Sequence, residues 1–241
     1  MGTLFDHRVV ARYVTGIARA RGFTLIEMLA VLAIIVIITA IAFTGQSIFN
    51  RTLTLANTAY NVALSIRQAE NYGIASRTFG SVRNAGYGVR FEAAVKNAYY
   101  FYADVNPVPG ISGNCHCADT NCAALPDAKP GNCVYDASYG TPVRSELVSQ
   151  YTFGSGISVK DFCGTAASGG ATHCAAAAPN DLRALDIVFV RPNTQVTLTA
   201  TQNNGTRLPL SQATVYLGAG TGQRCVTVSA IGQVSVPLAC P

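Results

Sequence analysis

The 241-residue chain is 49% hydrophobic and only 12% charged, with a formal net charge of +5. Residues 1–22 hold Arg8, Arg12, Arg19 and Arg21 against Asp6, a net of +3, so the remainder carries only +2. That balance gives no electrostatic reason to expect a polyanion partner, and the length suits one domain plus an anchor.

In chain order, the basic segment ends at Arg21-Gly22, and Phe23-Thr24-Leu25-Ile26-Glu27 opens an apolar stretch. Met28 to Phe43 carries no charge, and with Phe23–Glu27 the stretch reaches 21 residues. At about 1.5 Å per residue this is enough to cross a hydrocarbon core of roughly 30 Å. A secretory signal would have a shorter apolar core and a small-residue cleavage site. A plain anchor explains the apolar run but not the glutamate inside it, because an acidic group in a membrane segment is costly and normally has a partner or task. The arginines before the stretch hold the N-terminus in the cytoplasm by the positive-inside bias, so everything after Phe43 is expected to be exported.

The stretch Arg21-Gly22-Phe23-Thr24-Leu25-Ile26-Glu27 resembles the class III leader of type IV pilins and type II secretion pseudopilins. The resemblance implies cleavage by a prepilin peptidase between Gly22 and Phe23, N-methylation of Phe23, and a role for Glu27 in assembly. In that family the glutamate pairs with the N-terminal ammonium of a neighbouring subunit. Such a pair is physically sensible, since each buried charge offsets the other's desolvation.

These readings divide the chain into a cleaved leader at 1–22, a membrane or filament-core helix at 23–44, an amphipathic helix at 45–80 and an exported β-rich head at 81–241. Between Gln46 and Tyr72 apolar residues recur at helical spacing, with Leu55, Ala59, Val62, Ile66 and Ala69 forming one stripe. The stripe is expected to pack under the head. Gly45 is a place where the helix can bend or locally melt.

Strand signals begin after Gly80. Tyr87–Phe91 and Tyr99–Tyr102 read as an aromatic hairpin, and residues 103–142 as loop. Glu146–Phe162 reads as one or two short strands, and an Ala/Gly/Ser loop is expected between Cys163 and Cys174. Leu185–Val190 reads as a buried strand, followed by strands near 195–201, 214–217, 225–230 and 233–236. A long helix followed by short antiparallel strands gives an α+β fold with a small sheet as its head. The closing segment Gln223–Val228 with Gly232-Gln233-Val234 is similar to the last hairpin of the GspH/FimT-like minor pilins.

All eight cysteines lie beyond residue 110. An even count in an exported segment suggests disulfides. The spacing suggests local staples, Cys163 with Cys174 and Cys225 with Cys240, with two more bridges among Cys115, Cys117, Cys122 and Cys133. Eight cysteines allow on the order of a hundred connectivities, so this pairing is one of many. Zinc held by those last four, with His116 as a further candidate ligand, is the weaker alternative because C-x-C-x4-C-x10-C is not a familiar zinc spacing. Asp104 and Asn106 resemble the start of a calcium loop, but Pro107 and Pro109 follow, and a turn bonding its own backbone is the simpler reading.

No phosphate-cradling glycine loop or H-E-x-x-H pattern occurs. His173 beside Cys174 is a poor nucleophile pair, because adjacent residues rarely reach that geometry. The expectation is therefore a structural subunit with no catalytic residues, cofactor or metal. Its expected partners are a prepilin peptidase, other pilin or pseudopilin subunits, and an inner-membrane assembly platform. It would be a single-pass cytoplasmic-membrane protein, filamentous after assembly. Two alternatives stay open. One is a DNA-uptake minor pilin with Arg191, Arg207 and Arg224 converging on phosphates. The other is an uncleaved membrane-anchored ectodomain.

Overall fold

The structure, a computed structural model, describes residues 22–75, 77–106, 130–140, 142–154, 156–191 and 196–241, the side chains of residues 44–48 excepted. The chain forms two compact units, divided between Ser47 and Ile48. Helix α1 spans Leu25–Ile74, with Gly45 inside it. The strands that follow are β1 (Gly86–Glu92), β2 (Val95–Asp104), β3 (Leu147–Thr152), β4 (Ile157–Ala166) and β5 (Thr172–Cys174). They continue as β6 (Leu182–Phe189), β7 (Val196–Gln202), β8 (Arg207–Ala219), β9 (Gly222–Ser229) and β10 (Val234–Ser235).

In the first unit, the apolar side chains from Leu25 to Phe43 are all exposed. In the second, the five stripe residues Leu55, Ala59, Val62, Ile66 and Ala69 are each no more than 2% exposed. They join the main core with Val89, Phe91, Phe101, Leu185, Ile187 and Phe189. Small residues let helix and sheet approach closely: a Cβ on Gly73 would run into the backbone carbonyl of Phe189. The contact is also specific, because Ser65 Oγ and Tyr99 OH lie 2.8 Å apart within it. Tyr72 stands edge-on to both Tyr87 and Phe101, with centroids 5.4 and 5.7 Å away.

The head is larger than the small sheet expected from sequence: among the described residues it is a curled antiparallel sheet of ten strands, ordered β10-β9-β8-β7-β6-β1-β2-β3 with β4 and β5 off that path. Strand β8 is the pivot. Its first residues pair with β7, and the rest pair with β4 on one edge and β9 on the other. The expected loop between Cys163 and Cys174 is instead the β4–β5 hairpin, with Cys163 directly opposite Cys174. Its tip needs glycine, since Gly169 and Gly170 both have positive φ, 83° and 66°.

The central strands are buried on both faces. Along β1, Tyr87, Val89 and Phe91 belong to the core beneath the helix. On the opposite face Tyr102, Cys133, Val188 and Val190 form a second, smaller cluster with Tyr135 packed against it. The segment 130–136 therefore acts as a cover over β1, β2 and β6.

Candidate functional site

Thr24 starts the helix. Its carbonyl accepts from the Glu27 and Met28 amides at 3.1 and 3.2 Å, and its hydroxyl accepts from Glu27 N–H at 3.3 Å. That is half of a capping box, with Glu27 in the first turn where a negative charge also suits the helix dipole. Glu27 is exposed, and among the described residues its carboxylate has no ion pair or hydrogen-bonded side chain. Gly22 and Phe23 lie just before the helix in exposed chain outside any helix or strand. The segment Leu25–Phe43 has a mean hydropathy of 2.9 over 19 residues. Among the described residues a lone carboxylate thus sits at the mouth of an apolar helix, just after an exposed Gly-Phe pair.

Residues 17–43 match the prokaryotic N-terminal methylation motif. The chain carries the N-terminal signature of the type IV pilin and pseudopilin family. No curated protein and no solved structure matches it significantly. The motif marks this pilin-like chain as a prepilin-peptidase substrate, and its exposed apolar helix fits a membrane-anchored protein.

Within the head, disulfides join Cys163 to Cys174, with Cα atoms 4.0 Å apart, and Cys225 to Cys240, 5.6 Å apart. Cys133 is also disulfide-bonded. The remaining cysteines named above, Cys115, Cys117 and Cys122, lie outside the described residues, as do His116 and most of the leader. Asp161, Cys163 and Cys174 cluster closely, but two of the three are spent in a disulfide. The Asp161 carboxylate is occupied as well, accepting from the amides of Phe162, Ala175, Ala176 and Ala177.

The three arginines considered for DNA do not converge. Arg207 opens β8, whereas Arg224 pairs opposite Leu217, ten residues further along, roughly 30 Å of strand at about 3.3 Å per residue. Each is engaged locally: Arg207 donates to the Asn132 carbonyl at 3.3 Å and Arg224 to the Leu238 carbonyl at 2.8 Å. Arg191 follows β6 at the Val196 end of β7, while Arg207 pairs at the other end, with Thr201. Residues scattered along a sequence carry no information about which strand ends they will occupy.

His173 has a different partner from the one considered: its Nδ1 lies 2.6 Å from Asp181 Oδ2, and Gln202 Nε2 donates to the same oxygen at 2.7 Å. Burial alone would raise the Asp181 pKa, but His173 and Gln202 hold it below its usual value.

Sequence reading missed a buried carboxylate cluster under the cover segment. Asp104 accepts from the amides of Asn132 and Cys133, both at 2.8 Å. Glu146 accepts from Val105 and Asn106 at 2.8 Å and from Asp136 at 2.7 Å. Asp186 accepts from Tyr135 N–H at 3.2 Å, Tyr102 OH at 3.0 Å and Arg90 at 2.7 Å. All three acids are 0% exposed. Asp104 is thus a structural anchor whose oxygens accept from the Asn132 and Cys133 amides and not from its own turn, and the loop that follows it from residue 107 lies outside the described residues. Burial pushes Asp104 up to about 7 and Glu146 to about 9, and the charge of Asp104 adds to the Glu146 shift. Burial works against the Arg90 charge, but Asp186 and Glu92 outweigh it and keep the guanidinium protonated.

Proposed function

We propose that this chain is a prepilin that matures into a structural subunit of a type IV pilus or type II secretion pseudopilus, and that it is not an enzyme. The observation that carries the reading is the Gly22-Phe23 junction with an unpartnered Glu27 at the mouth of the apolar helix, inside the matched motif. Cleavage after Gly22 releases the Phe23 amine, which is then methylated. Glu27 docks against the Phe23 ammonium of a neighbouring subunit, where each charge offsets the other's desolvation. The exposed apolar helices supply the bundling surface, and the chain beyond Phe43 lies outside the cytoplasm.

Exposed apolar residues continue past the membrane segment on the helical part of the head unit, at Phe49, Leu53, Tyr60 and Leu64. Their spacing of four and seven residues keeps them near one face, opposite the buried stripe, and supports helix-to-helix contact between subunits.

Replacing Glu27 by Gln tests the assembly step. The variant should be cleaved and methylated normally but should fail to cross-link into higher oligomers in its native membrane. Normal cross-linking of Glu27→Gln would remove the proposed role of that carboxylate.

A further inference from the structure

The hairpin between β8 and β9 closes at the Ala219–Gly222 pair with Gly220 and Thr221 at its tip, and Gly220 has φ +59°. Beside that tip is an open cavity of about 230 Å³ lined by Arg51, Thr52, Leu55 and residues 219–224, including Arg224. The Arg51 guanidinium lies close to the tip, with Nη1 3.8 Å from where a Cβ on Gly220 would sit. Among the described residues, no carboxylate lines this cavity. Arg51 is exposed and, among the described residues, has no ion pair or hydrogen bond, so its charge is uncompensated by the fold. Arg224 donates to a neutral carbonyl through one nitrogen only, leaving the rest of its fork for another acceptor.

The chemistry that fits is a single phosphate: two arginines offer forked donors, and the cavity is too small for more than a headgroup-sized anion. Sequence position selects the source. Arg51 is only eight residues beyond Phe43, the last residue of the apolar span, and is the first basic residue after it. A basic group this near a membrane segment in sequence can be drawn to anionic headgroups on the exported face, as juxtamembrane basic groups are on the cytoplasmic face.

We propose that Arg51, Arg224 and the Gly220–Gly222 turn form a binding site for the phosphate of an anionic phospholipid, occupied while the subunit waits in the membrane. This rests on the membrane-anchored reading of Leu25–Phe43. The site would tether the lipid to the subunit through its phosphate, and the lipid would have to be released as the subunit leaves the bilayer.

The test uses the full chain in lipid nanodiscs, one set of phosphatidylethanolamine alone and one containing phosphatidylglycerol, followed by native mass spectrometry of retained lipid. Flotation of the same protein with liposomes reports membrane insertion independently. The proposal expects selective retention of phosphatidylglycerol, reduced roughly fivefold for each arginine removed in Arg51→Gln and Arg224→Gln. It also expects retention in Arg51→Lys to exceed that in Arg51→Gln. Arg51 makes no ion pair or hydrogen bond among the described residues, so its variant removes the charge with little effect on folding. Flotation without any preference for phosphatidylglycerol would overturn the site while leaving the anchor intact. Failure to float would overturn the anchored reading itself. Equal competition by inorganic phosphate would show a free-anion site, and preferential capture of an oligonucleotide would point to DNA; either result overturns the lipid assignment.

Discussion

Arg90 and Asp186 face each other across β1 and β6 in register, with Nη1 and Oδ2 2.7 Å apart and the aspartate fully buried. The same guanidinium holds Glu92 through Nε at 2.7 Å, and the same carboxylate holds Tyr102 and the cover segment. Removing the cation strands a buried negative charge, which costs about 3–5 kcal/mol. Arg90→Ala should therefore unfold the head at much lower denaturant, whereas Arg67→Ala, which breaks a part-exposed pair with Glu70 and one hydrogen bond to the Gly232 carbonyl, should cost less. Equal midpoints for the two variants in a urea titration would show that burial does not set the value of the Arg90 pair.

Asp104 and Glu146 make the head sensitive to base. Both titrate higher in the folded chain than unfolded, at about 7 and about 9, so the folded state binds the extra protons. Their contribution is complete below the ordinary carboxylate range near 4 and is lost as pH rises through the folded values, with a slope of at most about 1.4 kcal/mol per pH unit per proton. The unfolding midpoint of the full chain in detergent should fall between pH 5 and pH 9. Glu146→Gln keeps a carbonyl acceptor but removes the charge, so it should flatten that fall. A midpoint that rose with pH over this range would contradict the account.

Gly73 tests the closeness of helix and sheet. Alanine at a helix position normally gains about 1 kcal/mol over glycine. Here the new Cβ meets the backbone carbonyl of Phe189, which cannot swing aside as a side chain would. Overpacking of this kind costs about 1–3 kcal/mol, so Gly73→Ala should be neutral to destabilising. Asn57→Ala, on the exposed side of the same helix, should be mildly stabilising. A clear gain in stability for Gly73→Ala would mean the helix stands further from β6 than described.

The helix and its buried stripe were legible because Leu55, Ala59, Val62, Ile66 and Ala69 keep helical spacing among polar neighbours. The aromatic pairs of β1 and β2 were legible through their β-propensity. The full size of the sheet was not. Lys160-Asp161 and Gly164 interrupt the alternation of β4, and Pro209 disguises the start of β8, yet pairing on both edges carries each strand through. The carboxylate cluster was invisible for another reason. Asp104 and Glu146 flank what reads as loop, and only the tertiary arrival of backbone amides from residues 105–106 and 130–136 makes their burial tolerable. Arg51 went unremarked because its partner in the cavity, Arg224, is remote in sequence.

The most direct test of the central claim is intact-mass and N-terminal peptide mass spectrometry on the protein from its native membrane. The account predicts a mature chain beginning at N-methylated Phe23, and loss of that species when Gly22 is replaced by a bulky residue. A chain that keeps Met1 in a host with active prepilin peptidase, or one cut beyond Phe43, would contradict it.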